Sequence, residues 1–495
     1  MDRTKWGWVL ALLGMILLVR VRSFTETLED GNVGLYFHIA TGWIHGQLPY
    51  IASWEYKPPG LFALLALGLV IFQTPTLACA ALSVLAVFAT SLVLYRIGRS
   101  LGVPFAREIG LIAAAGYAML SIENDGLSGD AQLYVAPFLS GALAIVAFGE
   151  WDCERRPLLR TLLGGLLAGF ALQMKLTALT IVVPLGIFAA LLSQRRRLSN
   201  AFAFMAAALL PFGIEAAMYA HAGALGVFSD ANAGATLRRF LGRAAIHSPV
   251  DADAWLTQLR SAGPFLELAP LSVLVLRSPR VAIVWAWLVL QIGTLLLVGE
   301  YYQRNFYDLL APLSLLGAIG VMQLARLLAK PRTVIVSVLL GAFLFHDYYT
   351  MRVGLTRVFE RTLGGNPSFG RSNFEHLELS LRHIIGTDRS IYVFQEPPIL
   401  YDDLGAEPPT RYLLSADLIE PNLRPMLGFS GKDELNRILE RRPHYIIVGY
   451  ADRARDDLDE VRAFERSVVY RYRSLGSING VLIYQLAGLP PMRSR

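Results

Sequence analysis

Cysteine is nearly missing from this chain. There are two, Cys79 inside an apolar block and Cys153 in a basic loop, which excludes a disulfide framework and a cysteine-based zinc site. Charge is scarce too: 17% of the residues are charged against 54% hydrophobic, and mean hydropathy is +0.45. A single soluble core stops growing well before 495 residues, so this apolar excess excludes an ordinary soluble globule. Internal repeats, low-complexity tracts and soluble nucleotide-binding motifs are also missing. The net charge is +6, but the basic residues sit in short clusters between apolar blocks, which argues against a nucleic-acid partner.

What the chain does have is long apolar blocks, such as Ala78–Leu94, Ala201–Pro211 and Val281–Val298. Blocks near ~20 residues match a hydrocarbon core of about 30 Å, in which the backbone has to satisfy itself as helix. Residues 1–350 therefore read as a polytopic α-helical membrane domain in contact with the bilayer. The start, Met1–Lys5 followed by Trp6–Val19, has the basic-then-apolar order of a signal sequence without a small-residue cleavage site. It reads as an uncleaved signal anchor.

Basic clusters mark cytoplasmic loops. Here they are Arg3/Lys5, Arg96/Arg99/Arg107, Arg155/Arg156/Arg160, Arg195/Arg196/Arg197, Arg277/Arg280 and Arg326/Lys330/Arg332. An even number of crossings must separate consecutive clusters, yet three apolar runs lie between Lys5 and Arg96. The shortest, Pro58–Phe72, has 15 residues and reaches roughly 22 Å as a helix. It is read as a juxtamembrane or re-entrant helix; the other reading, that it spans and the charge rule fails there, stays open. Without it there are eleven spans, near 6–22, 76–95, 108–120, 133–149, 161–174, 177–193, 200–220, 264–277, 282–299, 308–328 and 333–349. The loops Ser23–Pro75, Ser121–Gln132, His221–Gly263 and Glu300–Tyr307 then face outward from a plasma (inner) membrane. Arg238, Arg239, Arg243 and Arg260 lie in the third of these loops with Asp230, Asp251 and Asp253, so the charge rule is obeyed imperfectly there.

From about residue 350 the character changes. Charges become frequent, and short β-rich runs appear at Ile391–Phe394, Tyr445–Val448, Ser467–Tyr472 and Val481–Gln485. Amphipathic helical patterns lie between them at Asn373–Ile385 and Lys432–Arg441. Residues 351–495 read as a small soluble α/β domain, placed outside the cytoplasm by the odd number of spans.

Long loops are enriched in function, and the first outer loop, residues 23–75, is long for one that follows a single helix. It carries Glu29, Asp30, Glu55 and Lys57 at the membrane, where charge is costly and marks a substrate path or a paired site. The plainer alternative makes Lys57 and Glu55 interface anchors and Asp30 the N-cap of a helix over Val33–Trp43.

An acidic residue, Tyr36, Gly46-x-x-Pro49-Tyr50 and Trp54-Glu55-x-Lys57-Pro58-Pro59-Gly60 resemble the first-loop signature of the GT-C glycosyltransferase superfamily. The branch is that of protein O-mannosyltransferases, lipid A aminoarabinose transferases and their bacterial relatives. Gly164-Gly165-Leu166-Leu167-Ala168-Gly169 with Lys175 resembles the family's G-x-x-x-G…K helix, and Tyr301–Pro312 its aromatic-rich outer loop. Pro397-Pro398, Tyr401 and Arg411-Tyr412 resemble the start of its extracytoplasmic domain.

The resemblance implies a GT-C fold of about eleven transmembrane helices with a C-terminal extracytoplasmic α/β domain. It implies an enzyme that moves a hexosyl or pentosyl group, with inversion, from a polyprenyl-phosphate donor to a lipid, glycan or protein acceptor outside the membrane. Asp30 corresponds to the general base, and Lys57, Lys175 and Arg304 are the cations expected at the donor phosphate. Tyr36, Tyr50, Glu55, Gln132 and Tyr307 are candidate substrate contacts. For Lys175, snorkelling at a helix end explains the residue equally well.

The chain also departs from the family pattern. Asp30 is followed by Gly31, not Glu, and where a second carboxylate is expected, five residues before Pro137, stands Gln132. Asp130 is then the second acidic candidate. No cofactor is required by the sequence; a divalent metal held by Asp30, Asp130 or His38 is the one it allows, although His38 and His45 read more simply as hydrogen-bonding groups. A transporter or lipid flippase is the alternative class, but no matching pair of interrupted helices is present in two halves. A non-catalytic membrane scaffold is the third.

Overall fold

The computed structural model describes residues 4–26, 28–149, 156–192, 196–243, 252–260, 263–299, 302–328, 332–450 and 457–488. Arg3, Cys153, Arg155, Arg195, Asp251, Tyr301 and Lys330 from the sequence analysis lie outside the described residues. The chain divides into two compact units that do not follow chain order. The first comprises Met1–Thr25, Leu77–Ala216 and Pro249–Pro367; the second comprises Glu26–Thr76, Ala217–Ser248 and Ser368–Arg495.

The first unit is helical. Every apolar run expected to span is helical, from Thr4–Val19 to Arg332–Thr362. Among the described residues, five helices are long and apolar enough to cross a membrane: Pro75–Ser100, Pro157–Met174, Arg197–His221, Pro279–Val298 and Gln303–Leu327. Further apolar helices at Trp6–Val19, Ala131–Val146, Leu176–Leu191 and Phe265–Val275 are shorter. The Leu310–Leu327 helix is the core, buried over nearly its whole length among helices Ala106–Leu120, Pro264–Leu268 and Pro279–Val298. By contrast, Arg197–His221 exposes Leu198, Phe202, Met205, Leu209, Leu210 and Ile214. A stripe of that size needs an apolar solvent, and a lipid bilayer supplies one.

The second unit is α/β. Its sheet contains β1 (Ile391–Phe394), β2 (Tyr445–Val448), β3 (Tyr472–Ile478) and β4 (Val481–Leu486) in the order β1-β2-β4-β3. β1 and β2 are parallel, with Ile391 opposite Tyr445, and β4 runs antiparallel to both β2 and β3. The parallel crossover carries the Gly431–Glu440 helix, which together with Leu458–Arg471 covers the sheet through Leu435, Ile438, Phe464 and Val468. The expected strand at Ser467–Tyr472 is a correction: through Arg471 these residues end a helix. Asp457 caps that helix, and Val461, Phe464 and Val468 recur at helical spacing, which outweighs the β propensity of Val468, Val469 and Tyr470.

Two earlier stretches of chain, Glu26–Thr76 and Ala217–Ser248, fold with this unit. Trp54 belongs to its hydrophobic core, resting on Tyr412 at 5.6 Å, and its amide donates to the Arg411 carbonyl. The Pro59–Phe72 helix, 14 residues long, packs on the Gly31–Ile44 helix. Arg238, one of the arginines that break the charge rule, pairs with Asp230 at 2.6 Å and donates to the Met426 carbonyl. Its charge is thus used within this unit.

Candidate active site

In the second unit the candidates lie on the first loop. Asp30 caps the Gly31–Ile44 helix: its Oδ1 accepts from the amides of Asn32 (2.9 Å) and Val33 (3.0 Å). The capping role foreseen in the sequence is therefore real. Nearby in sequence, Glu29 adds to the burial that pushes Glu396 up to about 7. One helical turn and more beyond the cap, Tyr36 is buried.

Lys57 is a buried cation, 7% exposed, and Glu55 beside it is 1% exposed. The Lys57 Nζ lies 3.6 Å from Glu55 Oε1, 3.7 Å from the Tyr56 ring centre and 5.8 Å from the Tyr36 ring centre. Glu55 Oε1 also accepts from the amides of Tyr56 and Lys57, which fixes the turn. Tyr50, at φ 69°, donates from its hydroxyl to the Lys57 carbonyl at 2.6 Å and stacks on Tyr219. Asn232 donates to the same hydroxyl. The Tyr56 ring also carries the Arg239 guanidinium, 4.9 Å from its centre.

Asp417 completes this cluster. It is 1% exposed, and its Oδ1 has no hydrogen-bond partner among the described residues. Burial and then the Glu55 charge push its carboxyl well above the usual carboxylate range, against the opposing pull of Lys57. The neutral acid is thereby favoured at Asp417. Asp417 was not singled out in the sequence, and Arg239 was noted there only among the arginines that break the charge rule. Asp417 lies some 360 positions after Lys57 in the chain, and no local pattern links them. His38 Nδ1 lies 3.0 Å from Asp402 Oδ2, a carboxylate oxygen that accepts from the protonated ring nitrogen, and the ring leans on Tyr401.

In the first unit, candidates from three stretches of chain meet. Asp130 caps the Ala131–Val146 helix through Oδ1, and its Oδ2 pairs with Arg304 at 2.9 Å. Gln132 Nε2 and Lys175 Nζ both donate to Asn305 Oδ1, at 2.9 and 3.0 Å. Lys175 is also 3.9 Å from Asp308 Oδ2, so it is anchored within a polar cluster as well as standing at a helix end. Gln132 is 4% exposed, and its Oε1 has no hydrogen-bond partner among the described residues. Tyr307 bonds Tyr117 through their hydroxyls at 3.1 Å. Asn305 and Asp308 were missed in the sequence, although both lie within the recognised Tyr301–Pro312 stretch.

Glycines set the position of Lys175. A Cβ on Gly165 would lie 2.4 Å from the Phe204 carbonyl oxygen, and one on Gly169 would lie 2.5 Å from that of Ala208. The Pro157–Met174 helix therefore packs backbone to backbone on Arg197–His221, the close approach for which small-xxx-small spacing is used.

Residues 56–216 match the model of the dolichyl-phosphate-mannose-protein mannosyltransferase family, a stretch that opens next to Lys57 and includes Lys175. No curated protein matches the chain. Among solved structures it is similar to the oligosaccharyltransferase of Archaeoglobus fulgidus. In the apo form the TM-score is 0.52 at 11% identity, covering 100% of this chain and 76% of that one. In that enzyme's complex with an inhibitory peptide and a dolichol-phosphate it is 0.51 at 12% identity, covering 99% and 75%. Over residues 56–216 the chain is thus similar to that mannosyltransferase family, and over its whole length it shares the fold of the archaeal oligosaccharyltransferase.

Proposed function

We propose that the chain transfers a sugar from a polyprenyl-phosphate donor to a hydroxyl of a lipid, glycan or protein acceptor at the outer face of the plasma membrane, with inversion. The convergence of Gln132, Lys175 and Arg304-Asn305, from three stretches of chain, is the observation that carries this reading. Such a set offers two cations and fixed amide groups to an anionic leaving group. Support for a lipid-linked donor also comes from the archaeal neighbour, whose complex contains a dolichol-phosphate.

In this proposal Asp30 accepts the proton from the acceptor hydroxyl as its oxygen attacks the anomeric carbon. The bond from that carbon to the phosphate oxygen breaks, and the lipid phosphate leaves with the electron pair. Lys57, Lys175 and Arg304 offset the charge it gains. Tyr36, Tyr50, Glu55, Gln132 and Tyr307 hold the cations or the substrate. Residues 1–350 supply the membrane domain, with the active site on loop 23–75, and residues 351–495 a soluble domain outside the cytoplasm.

Asp30→Asn tests the central role cleanly. Asparagine caps a helix about as well as aspartate, so the Gly31–Ile44 helix stays intact while the base is lost. Transfer by the purified variant, followed with a lipid-linked sugar, should fall about 100- to 10,000-fold. Transfer at the wild-type rate would remove Asp30 from the chemistry.

A further inference from the structure

Away from these residues, the first unit carries a second cluster. Glu123 stands in the turn after the Ala106–Leu120 helix, its amide bonded to the Leu120 carbonyl. His346 and Asp347 are consecutive on the Arg332–Thr362 helix, which packs on Ala106–Leu120. His346 Nε2 is 3.0 Å from Glu123 Oε1, and one ligand atom from each of the three side chains lies within 4.8 Å of the others.

An ion pair between His346 and Glu123 accounts for two of the three residues. It leaves Asp347 unexplained. Asp347 is 2% exposed, and its Oδ2 has no hydrogen-bond partner among the described residues. A carboxylate oxygen buried without a donor is costly, and proteins keep such a group where something else satisfies it. A carboxylate oxygen of Asp347 lies within 4.8 Å of the imidazole and of the Glu123 carboxylate, and a divalent cation satisfies all three side chains at once. Two carboxylates and a neutral imidazole also balance its charge.

We propose that Glu123, His346 and Asp347 form a site for a first-row divalent transition metal of the zinc class. The imidazole selects such ions over magnesium and calcium, which prefer all-oxygen sites. Three protein ligands leave a fourth position for water or a substrate group. Tetrahedral ligands at about 2.0 Å from a metal are roughly 3.3 Å apart, so the Glu123–His346 separation already suits one. Asp347 needs a further approach of at most about 1.5 Å, within the reach of side-chain rotation. The His346 side chain is 59% exposed and Glu123 23%, which gives an ion a way in. The bound metal would clamp the turn after Ala106–Leu120 to the Arg332–Thr362 helix.

The test uses the full chain, purified in detergent and stripped with EDTA. Titration with zinc chloride should show one equivalent whose affinity falls at least tenfold in Asp347→Asn and in His346→Gln. Cobalt(II) should give visible absorption bands of a low-coordinate site in the wild type and lose them in either variant, while magnesium should neither bind nor compete. Zinc binding and cobalt bands that survive in both variants would overturn the proposal. So would a stripped wild type that takes up no zinc although its fold, read by circular dichroism, matches that of the variants.

Discussion

Lys57→Met removes one partner of a buried ion pair, and the structure says what should follow. At 3.6 Å and an effective dielectric of ~20, the Lys57–Glu55 attraction is about 4–5 kcal/mol before desolvation is counted. Removing one partner leaves Glu55, 1% exposed, as an uncompensated charge. That loss typically costs about 3–5 kcal/mol. Glu55 keeps its bonds to the Tyr56 and Lys57 amides, so the lower end, about 3 kcal/mol, is expected. Adding Glu55→Gln removes the stranded charge. The double variant should recover to within about 1 kcal/mol of the wild type, the remainder being the lost contact of Lys57 with the Tyr56 ring.

Chemical denaturation followed by tryptophan fluorescence measures these stabilities, with Trp54 in the same unit as the reporter. Donor use then separates the two roles of Lys57. If it binds the donor phosphate, the double variant regains stability while kcat/KM for the lipid-linked donor stays at least tenfold down. A coupling between the two substitutions below about 0.5 kcal/mol would refute the buried-pair account. Recovery of donor use together with stability would make Lys57 a structural residue.

Glu396, raised to about 7, favours its protonated form in the folded chain, so it stabilises fully below pH 4.5 and loses that contribution as pH rises towards 7. Glu396→Gln should therefore flatten the fall in Tm across that window; an unchanged slope would assign the dependence to other groups. Gly169→Val should cost several kcal/mol, because its Cβ alone meets the Ala208 carbonyl oxygen at 2.5 Å, and loss of donor use should exceed that of a distant variant of equal stability. In a cysteine-free background, a cysteine at Thr74 should be labelled from outside intact cells and one at Gly98 should not. Labelling of Thr74 from the inside alone would make Pro59–Phe72 a crossing helix.

Much of the fold was legible because the signals are local. Apolar runs announced the helices, and β1 and β2 were found within their observed bounds from short β-branched runs. The Asn373–Ile385 helix was equally plain from its amphipathic pattern, and the structure adds a capping box of Ser372 and Glu375 at its start. The strand expected at Ser467–Tyr472 failed because propensity spoke for a strand while the cap at Asp457 and helical spacing decided otherwise. Among the candidate residues, Asp130, Gln132, Lys175 and Arg304 were found as separate motif members; their union around Asn305 was not readable.

The sequence by itself determined the class of molecule: a helical chain with apolar helices of membrane-crossing length, an α/β segment, and charged residues on the first loop whose order resembles one superfamily. These follow from composition, periodicity and short motifs, each set by neighbours along the chain. The tertiary structure alone decided which residues share an environment. It placed Trp54 in a core built mostly from residues beyond 390, gave Lys57 its buried neighbours Glu55 and Asp417, and brought a carboxylate oxygen of Asp347 within 4.8 Å of Glu123 and His346. Burial and charge pairing act through space, across separations of hundreds of positions, so the consequences for Lys57 and Asp347 exist only once the chain has folded.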